Sequence, residues 1–293
     1  MKKIFVFFAA CVAAVSLQGA SQSLFFGDSY ANDTRYDVKK LMSPADTDLC
    51  WAVSAANVLQ GFQNLWTSKG NALPAGTPNG HSGVQSAYSL DIFAVFVDNW
   101  TNGGGEEGNG FSWWFNQTLV YPPDPDPEDP DADLKPGSSG GGYWKGYAID
   151  NDDLFDKVEL GGQSQDFLKT AFDETIANQW LMTGGIYHTG GGGHAITLWG
   201  YDYDDATGAL TGLWICDGDI SYMGNFLVEL FWDDSVNEWG LGMGDNGEDY
   251  SGWYLEDITV LQALSYIPEP SAAALLMCTV LVLFCLRRKK NTL

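Results

Sequence analysis

The sequence predicts an α+β domain. Helical periodicity is confined to residues before Leu181, and strand alternation with hairpin chemistry follows it. Of 293 residues, 45% are hydrophobic and 14% aromatic, enough for a substantial core.

Residues 21–45 are polar and mixed, suited to an extended lead-in. In Trp51 to Trp66, the residues Ala52, Ala55, Ala56, Leu59, Phe62 and Trp66 recur at helical spacing and predict a buried stripe. Thr47 and Asp48 are the expected caps, which puts Cys50 at or just before the first helical turn. Residues 67–88 contain Gly, Pro and Asn and read as loop. Ser89 to Trp100 predicts a second helix capped by Ser89. After Gly103-Gly104-Gly105, the aromatic segment Phe111 to Tyr121 predicts a strand, with Trp113-Trp114-Phe115 a candidate border of a cleft.

Residues 122–136 hold six Pro and six acidic residues in fifteen positions, which predicts a solvated insertion loop. An EF-hand's ligand-and-glycine spacing is absent from it. Gln163 to Trp180 predicts an amphipathic helix bearing Phe167, Leu168, Phe172 and Ile176 on one side. Leu181 to Tyr187 predicts a strand, Gly190 to Gly193 a flexible turn, and His194 to Tyr203 a second strand. Residues 204–208 carry hairpin chemistry, Leu210 to Asp217 returns, and Trp253 to Leu264 supplies a further strand.

The net charge is −24, and residues 21–267 alone carry 8 basic against 37 acidic side chains, a net of −29. Such a body repels phosphate backbones and anionic lipid heads, which excludes nucleic acid as a partner.

Both termini read as addresses. Lys2 and Lys3, the apolar stretch Ile4 to Val15 and the small residues Gly19, Ala20 and Ser21 predict a signal peptide over 1–20. Pro268-Glu269-Pro270, an apolar run from Ala272 to Leu286 and the basic cluster Arg287 to Lys290 resemble the PEP-CTERM sorting signal of Gram-negative bacteria. That resemblance implies export, transient inner-membrane anchoring through 268–293, and an exosortase-type processing partner. The protein is then cell-surface or secreted. Residues 21–267 are the expected single mature domain.

Outside these addresses only Cys50 and Cys216 remain. In an exported protein they suggest either a Cys50–Cys216 disulfide or a reactive thiol at one of them. Cys50 ahead of an Ala-rich helix is placed for activation, because a helix N-terminus and a neighbouring imidazole both lower a thiol's pKa. Of the three histidines, His81 lies in a Gly/Pro/Ser loop, and His188 precedes the glycine turn. His194 begins a strand after four glycines and is the best candidate base. The hairpin returns Asp217 and Asp219 toward it, so a carboxylate is expected to orient the ring through Nδ1–H; an Asp-Gly-Asp turn is the alternative.

Asp48-Leu49-Cys50-Trp51-Ala52 with Ser54-Ala55-Ala56-Asn57, Gly193-His194-Ala195-Ile196-Thr197-Leu198-Trp199-Gly200-Tyr201-Asp202 and Asp217-Gly218-Asp219 together resemble the IdeS/Mac family of secreted, immunoglobulin-degrading cysteine proteases. The resemblance implies a papain-like fold, with a nucleophile helix packed on an antiparallel sheet. It makes Cys50 the nucleophile, free of any disulfide, His194 the general base and acid, and Asp217 the orienting carboxylate, with Asp219 as a second aspartate. Lys40, ten residues before Cys50, matches the family's oxyanion-hole lysine, with Lys39 one residue off. No cofactor or metal is implied. The expected function is endopeptidase action on an extracellular protein, immunoglobulin-like substrates included. The acidic loop and the sorting tail depart from the family pattern. An inactive binding or adhesion module and a transglutaminase-like acyltransferase are the alternatives.

Overall fold

A computed structural model describes residues 21–27, 37–40, 45–80, 91–121, 131–222 and 224–263. The signal peptide, the sorting tail, His81, Ser89 and most of the acidic proline segment lie outside them. Among the described residues no helix is long and apolar enough to cross a membrane.

The elements in chain order are β1 (Ser21–Phe25), α1 (Cys50–Ser68), α2 (Asp91–Asn99), α3 (Glu107–Asn116), α4 (Asn151–Leu154), β2 (Phe155–Glu159), α5 (Gln165–Ala177), β3 (Leu181–His188), β4 (Gly193–Asp204), β5 (Leu210–Cys216), β6 (Phe226–Asp233), β7 (Glu238–Gly244) and β8 (Trp253–Leu261). All strand pairings are antiparallel. They run β4-β3-β8-β7-β6-β5, and β5 pairs back onto β4. This closes a six-stranded barrel and overturns the expected papain-like α+β fold. Closure removes the sheet edges that an open helix-packed layer would have to protect. The strands that complete it, β6 and β7, fall between Asp219 and Trp253, where no element was expected. β6 alternates as a barrel strand does, with Phe226, Val228 and Leu230 buried, and β7 folds back beside it. Their turn holds Asn237 at φ 58° and is braced by Asp233 Oδ1 accepting from the Ser235 N–H at 2.9 Å.

Two further strands dock on the barrel. β1, expected only as an extended lead-in, pairs with the second half of β4 from Ser21↔Asp204 to Phe25↔Gly200. A Cβ at Gly200 would lie 2.2 Å from the Leu24 carbonyl oxygen, so only glycine permits this approach. β2 pairs with the second half of β8.

α1 lies across β4 and β3, with α2 and α3 packed on it. Enclosure on all sides explains why Ala52, Ala55, Ala56, Leu59 and Phe62 are buried together with Asn57, Gln60 and Gln63. Trp51 meets Trp100 edge-on at 4.9 Å between ring centroids, and Trp100 meets Trp113 at 5.7 Å.

The segment Phe111 to Tyr121 is not the expected strand. Most of it belongs to α3, which ends at Gln117 in the left-handed region. Phe111, Trp114 and Phe115 share helical spacing and are fully buried, each worth about 1.5–3 kcal/mol. That outweighs the ~1 kcal/mol helix penalty of each of Gly108 and Gly110. Gly110 also admits α1: a Cβ there would stand 3.1 Å from that of Ala55. Trp113, Trp114 and Phe115 are therefore core residues and do not border a cleft. The end of the proline segment is stapled down, with Ala132 buried and Leu134 bridging to Trp100.

Candidate active site

Cys50 is the first residue of α1, so its N–H has no acceptor within the helix and the positive end of the helix dipole lies under its side chain. Neither expected cap is used. Leu49 occupies the N-cap without a side-chain bond, because Asp48 is engaged by Asn102, whose Nδ2 donates to Asp48 Oδ2 at 2.8 Å. Cys50 and Cys216 are both free, which excludes the disulfide. Cys216 is buried and donates to Asn225 Oδ1.

His194 enters β4 opposite Ile186 of β3. Asp217 follows the last residue of β5, where Thr197 pairs with Cys216 and two register shifts interrupt the ladder. The chain then turns, and the Asp219 N–H donates to Asp217 Oδ1 at 2.8 Å. The Asp-Gly-Asp segment is thus a turn as well as part of the site. Asp217 Oδ1 lies 2.8 Å from His194 Nε2. The contact expected from the sequence was through Nδ1. With Nε2 engaged by Asp217, Nδ1 is the nitrogen left to act on the Cys50 thiol, whose pKa His194 lowers. Tyr250, missed by the sequence reading, donates its hydroxyl to Asp217 Oδ2 at 2.7 Å. Trp253 packs edge-on against the His194 ring at 6.2 Å.

Lys40 has a side chain only 1% exposed, bonded to the Thr47 carbonyl at 2.6 Å and to Asp219 Oδ1 at 2.5 Å. It therefore anchors Asp219, whose other oxygen is 3.9 Å from His194 Nδ1. Lys39 points elsewhere, donating to the Asp217 carbonyl and pairing with Asp37. Asn57, two turns along α1, accepts from the Val38 N–H at 3.1 Å and donates to Thr197 Oγ1 at 3.1 Å. One buried amide thereby fixes the nucleophile helix, the lysine segment and the histidine strand relative to one another. His188 is outside this group. It accepts from the Gly190 N–H through Nδ1 and packs on Trp253.

The electrostatics favour an ion pair. Burial raises the Cys50 thiol, but the His194 hydrogen bond and charge, the Ala195 N–H and Lys40 outweigh it, and its pKa falls below an ordinary thiol's. Burial depresses the His194 imidazole, yet Asp217 and Cys50 carry it up to about 10. Burial likewise opposes ionisation of Asp217, which His194, the Asp219 N–H and Tyr250 hold down at about 2. Among the described residues, His194, Asp217 and Asp219 also offer ligand atoms within 4.8 Å of one another. The Lys40 ammonium beside Asp219 opposes a second cation there, and both Asp217 oxygens are engaged, so this set fits a hydrogen-bonded relay better than a metal cage.

Cys50 and His194 line a cleft of about 280 Å³ shared with Glu106, Glu107, Lys157 and Asp257. Gly193, at the end of the glycine turn, lines it as well. The sequence carried no signal for the acidic residues, because α3, β2 and β8 bring them together. Glu107 is buried and unpaired at Oε1, and burial followed by the Asp257 charge raises its pKa to about 8. A carboxyl raised on folding favours the folded state below its ordinary value of 4.5 and loses that contribution as pH climbs through about 8. Glu107→Gln is therefore expected to gain stability over the parent, on the order of 3 kcal/mol, between pH 5 and pH 9, and little below pH 4.5. Urea unfolding across that range measures it; a difference independent of pH contradicts the buried carboxyl.

No protein-family model matches the chain, and no curated protein matches it in a sequence search.

Proposed function

We propose that this chain is an exported cysteine endopeptidase with IdeS/Mac-type chemistry on an extracellular protein. The observation that carries the reading is the line from the Cys50 thiol through His194 to Asp217, with the thiol's pKa lowered and the imidazole's raised. Function resides in such a site, so the barrel architecture does not weigh against it.

In this reading the Cys50 thiolate attacks the peptide carbonyl. The Cys50 N–H stabilises the developing oxyanion together with the positive potential of Lys40, which has one N–H beyond those given to Thr47 and Asp219. His194 passes its Nδ1 proton to the leaving amine, Asp217 holding the ring through Nε2. Water then releases the acyl group from the sulfur, with His194 taking its proton.

Two measurements test this. Iodoacetamide is expected to label Cys50 at pH ~6, where an ordinary thiol is almost wholly protonated; a merely structural cysteine in a binding module stays unlabelled. Casein is expected to be cleaved by the full chain. Incorporation of an added primary amine without chain cleavage replaces the endopeptidase with an acyltransferase.

A further inference from the structure

The cleft beside Cys50 has an acidic wall with no part in the relay. Glu106 and Glu107 come from the start of α3, Lys157 from β2, and Glu256 and Asp257 from β8. Adjacent strand residues normally face opposite sides, yet Glu256 and Asp257 both line the cleft. The β3–β8 register explains this: Gly185 pairs with Asp257 and Ile186 with Leu255, so Glu256 is the extra residue of a bulge. Gly185 makes room for the arrangement, since a Cβ there would lie 2.7 Å from Asp257 Oδ2.

Two carboxyls in this wall are poorly satisfied. Glu107 is 4% exposed and Asp257 7%, and Glu107 Oε1 and Asp257 Oδ1 have no hydrogen-bond partner. Lys157 lies 2.7 Å from Glu106 Oε2 and 3.3 Å from Asp257 Oδ2. One ammonium is thus shared by Glu106, Asp257 and, at 3.5 Å, Glu159, and none of its ion pairs is with Glu107. Buried carboxyl oxygens without donors destabilise the fold, and their position beside a nucleophile favours a donor that arrives with the substrate.

We propose that Glu107 and Asp257 form a substrate subsite that takes a cationic side chain, lysine or arginine, of the peptide being cleaved. The assignment of the ligand as substrate rests on the peptidase reading above. The incoming ammonium or guanidinium supplies donors to the Glu107 and Asp257 carboxyls and holds the neighbouring backbone over the Cys50 sulfur.

Calorimetric titration of the full-length Cys50→Ala protein with hexapeptides bearing lysine or norleucine at one varied position tests this apart from turnover. Lysine is expected to bind about 10-fold or more tighter than norleucine at one or two positions. Adding Glu107→Gln or, separately, Asp257→Asn should reduce that ratio to about threefold or less. Equal affinities, no measurable binding, or a lysine preference equal at every position overturns the subsite; so does a preference surviving both substitutions. The last two results mark diffuse attraction to an acidic protein. If the preference appears as described but the wild-type chain cleaves no peptide, the cationic site stands and the peptidase reading falls.

Discussion

Replacing Cys50 by alanine is expected to lower kcat for peptide hydrolysis by about 10⁴-fold or more, with the fold intact. Groups that act as one catalytic unit lose nearly all of their joint effect when the nucleophile is removed, leaving only binding and oxyanion stabilisation. The substitution removes a half-buried sulfur from the first position of α1, where alanine is a strong helix former. Circular dichroism and thermal unfolding should therefore change little while turnover disappears. A Cys50→Ala protein retaining a tenth of the parent rate would exclude thiol catalysis altogether.

Asp217→Asn is expected to lower kcat by about 10²–10⁴-fold and to narrow the pH profile. Asp217 gives one oxygen to His194 Nε2 and the other to Tyr250. An amide offers one acceptor and no charge, so the imidazolium loses its counter-ion. The sign follows from the pair. An adjacent anion favours protonated His194 and holds its pKa at about 10, so removing it lowers that pKa. The alkaline limb of activity, where the imidazolium loses its proton, then moves to lower pH. Asp217, at about 2, is ionised throughout the working range, so it adds no acid limb of its own. Steady-state kinetics on a fluorogenic peptide from pH 5 to 10 measure this. An unmoved alkaline limb would mean that the carboxylate does not act on His194.

Where the sequence was informative, the signal was contiguous. The stripe from Ala52 to Trp66 marked α1 because each side chain meets the same buried environment at helical spacing, and the 204–208 turn marked the β4–β5 hairpin because its residues suit the local backbone. Cys50, His194, Asp217 and Asp219 stood out by their places on these elements. The Phe111–Tyr121 segment was misread because aromatic density favours strands in general, while here tertiary burial of Phe111, Trp114 and Phe115 held a helix together despite two glycines. β6 shows a strand's alternation at Phe226, Val228 and Leu230, but nothing local to that segment announces a closed barrel.

Chain chemistry alone determined the elements that bear the nucleophile, the base and the carboxylates, since periodicity and turn preferences act over a few residues. Tertiary structure decided the rest. The β3–β8 pairing that closes the barrel, the use of His194 Nε2, the Lys40–Asp219 contact and the Glu107–Asp257 wall all depend on registers and bulges between distant segments. A register shift of one residue turns a side chain to the opposite face, so the final partners of each site residue are set only when the strands pair.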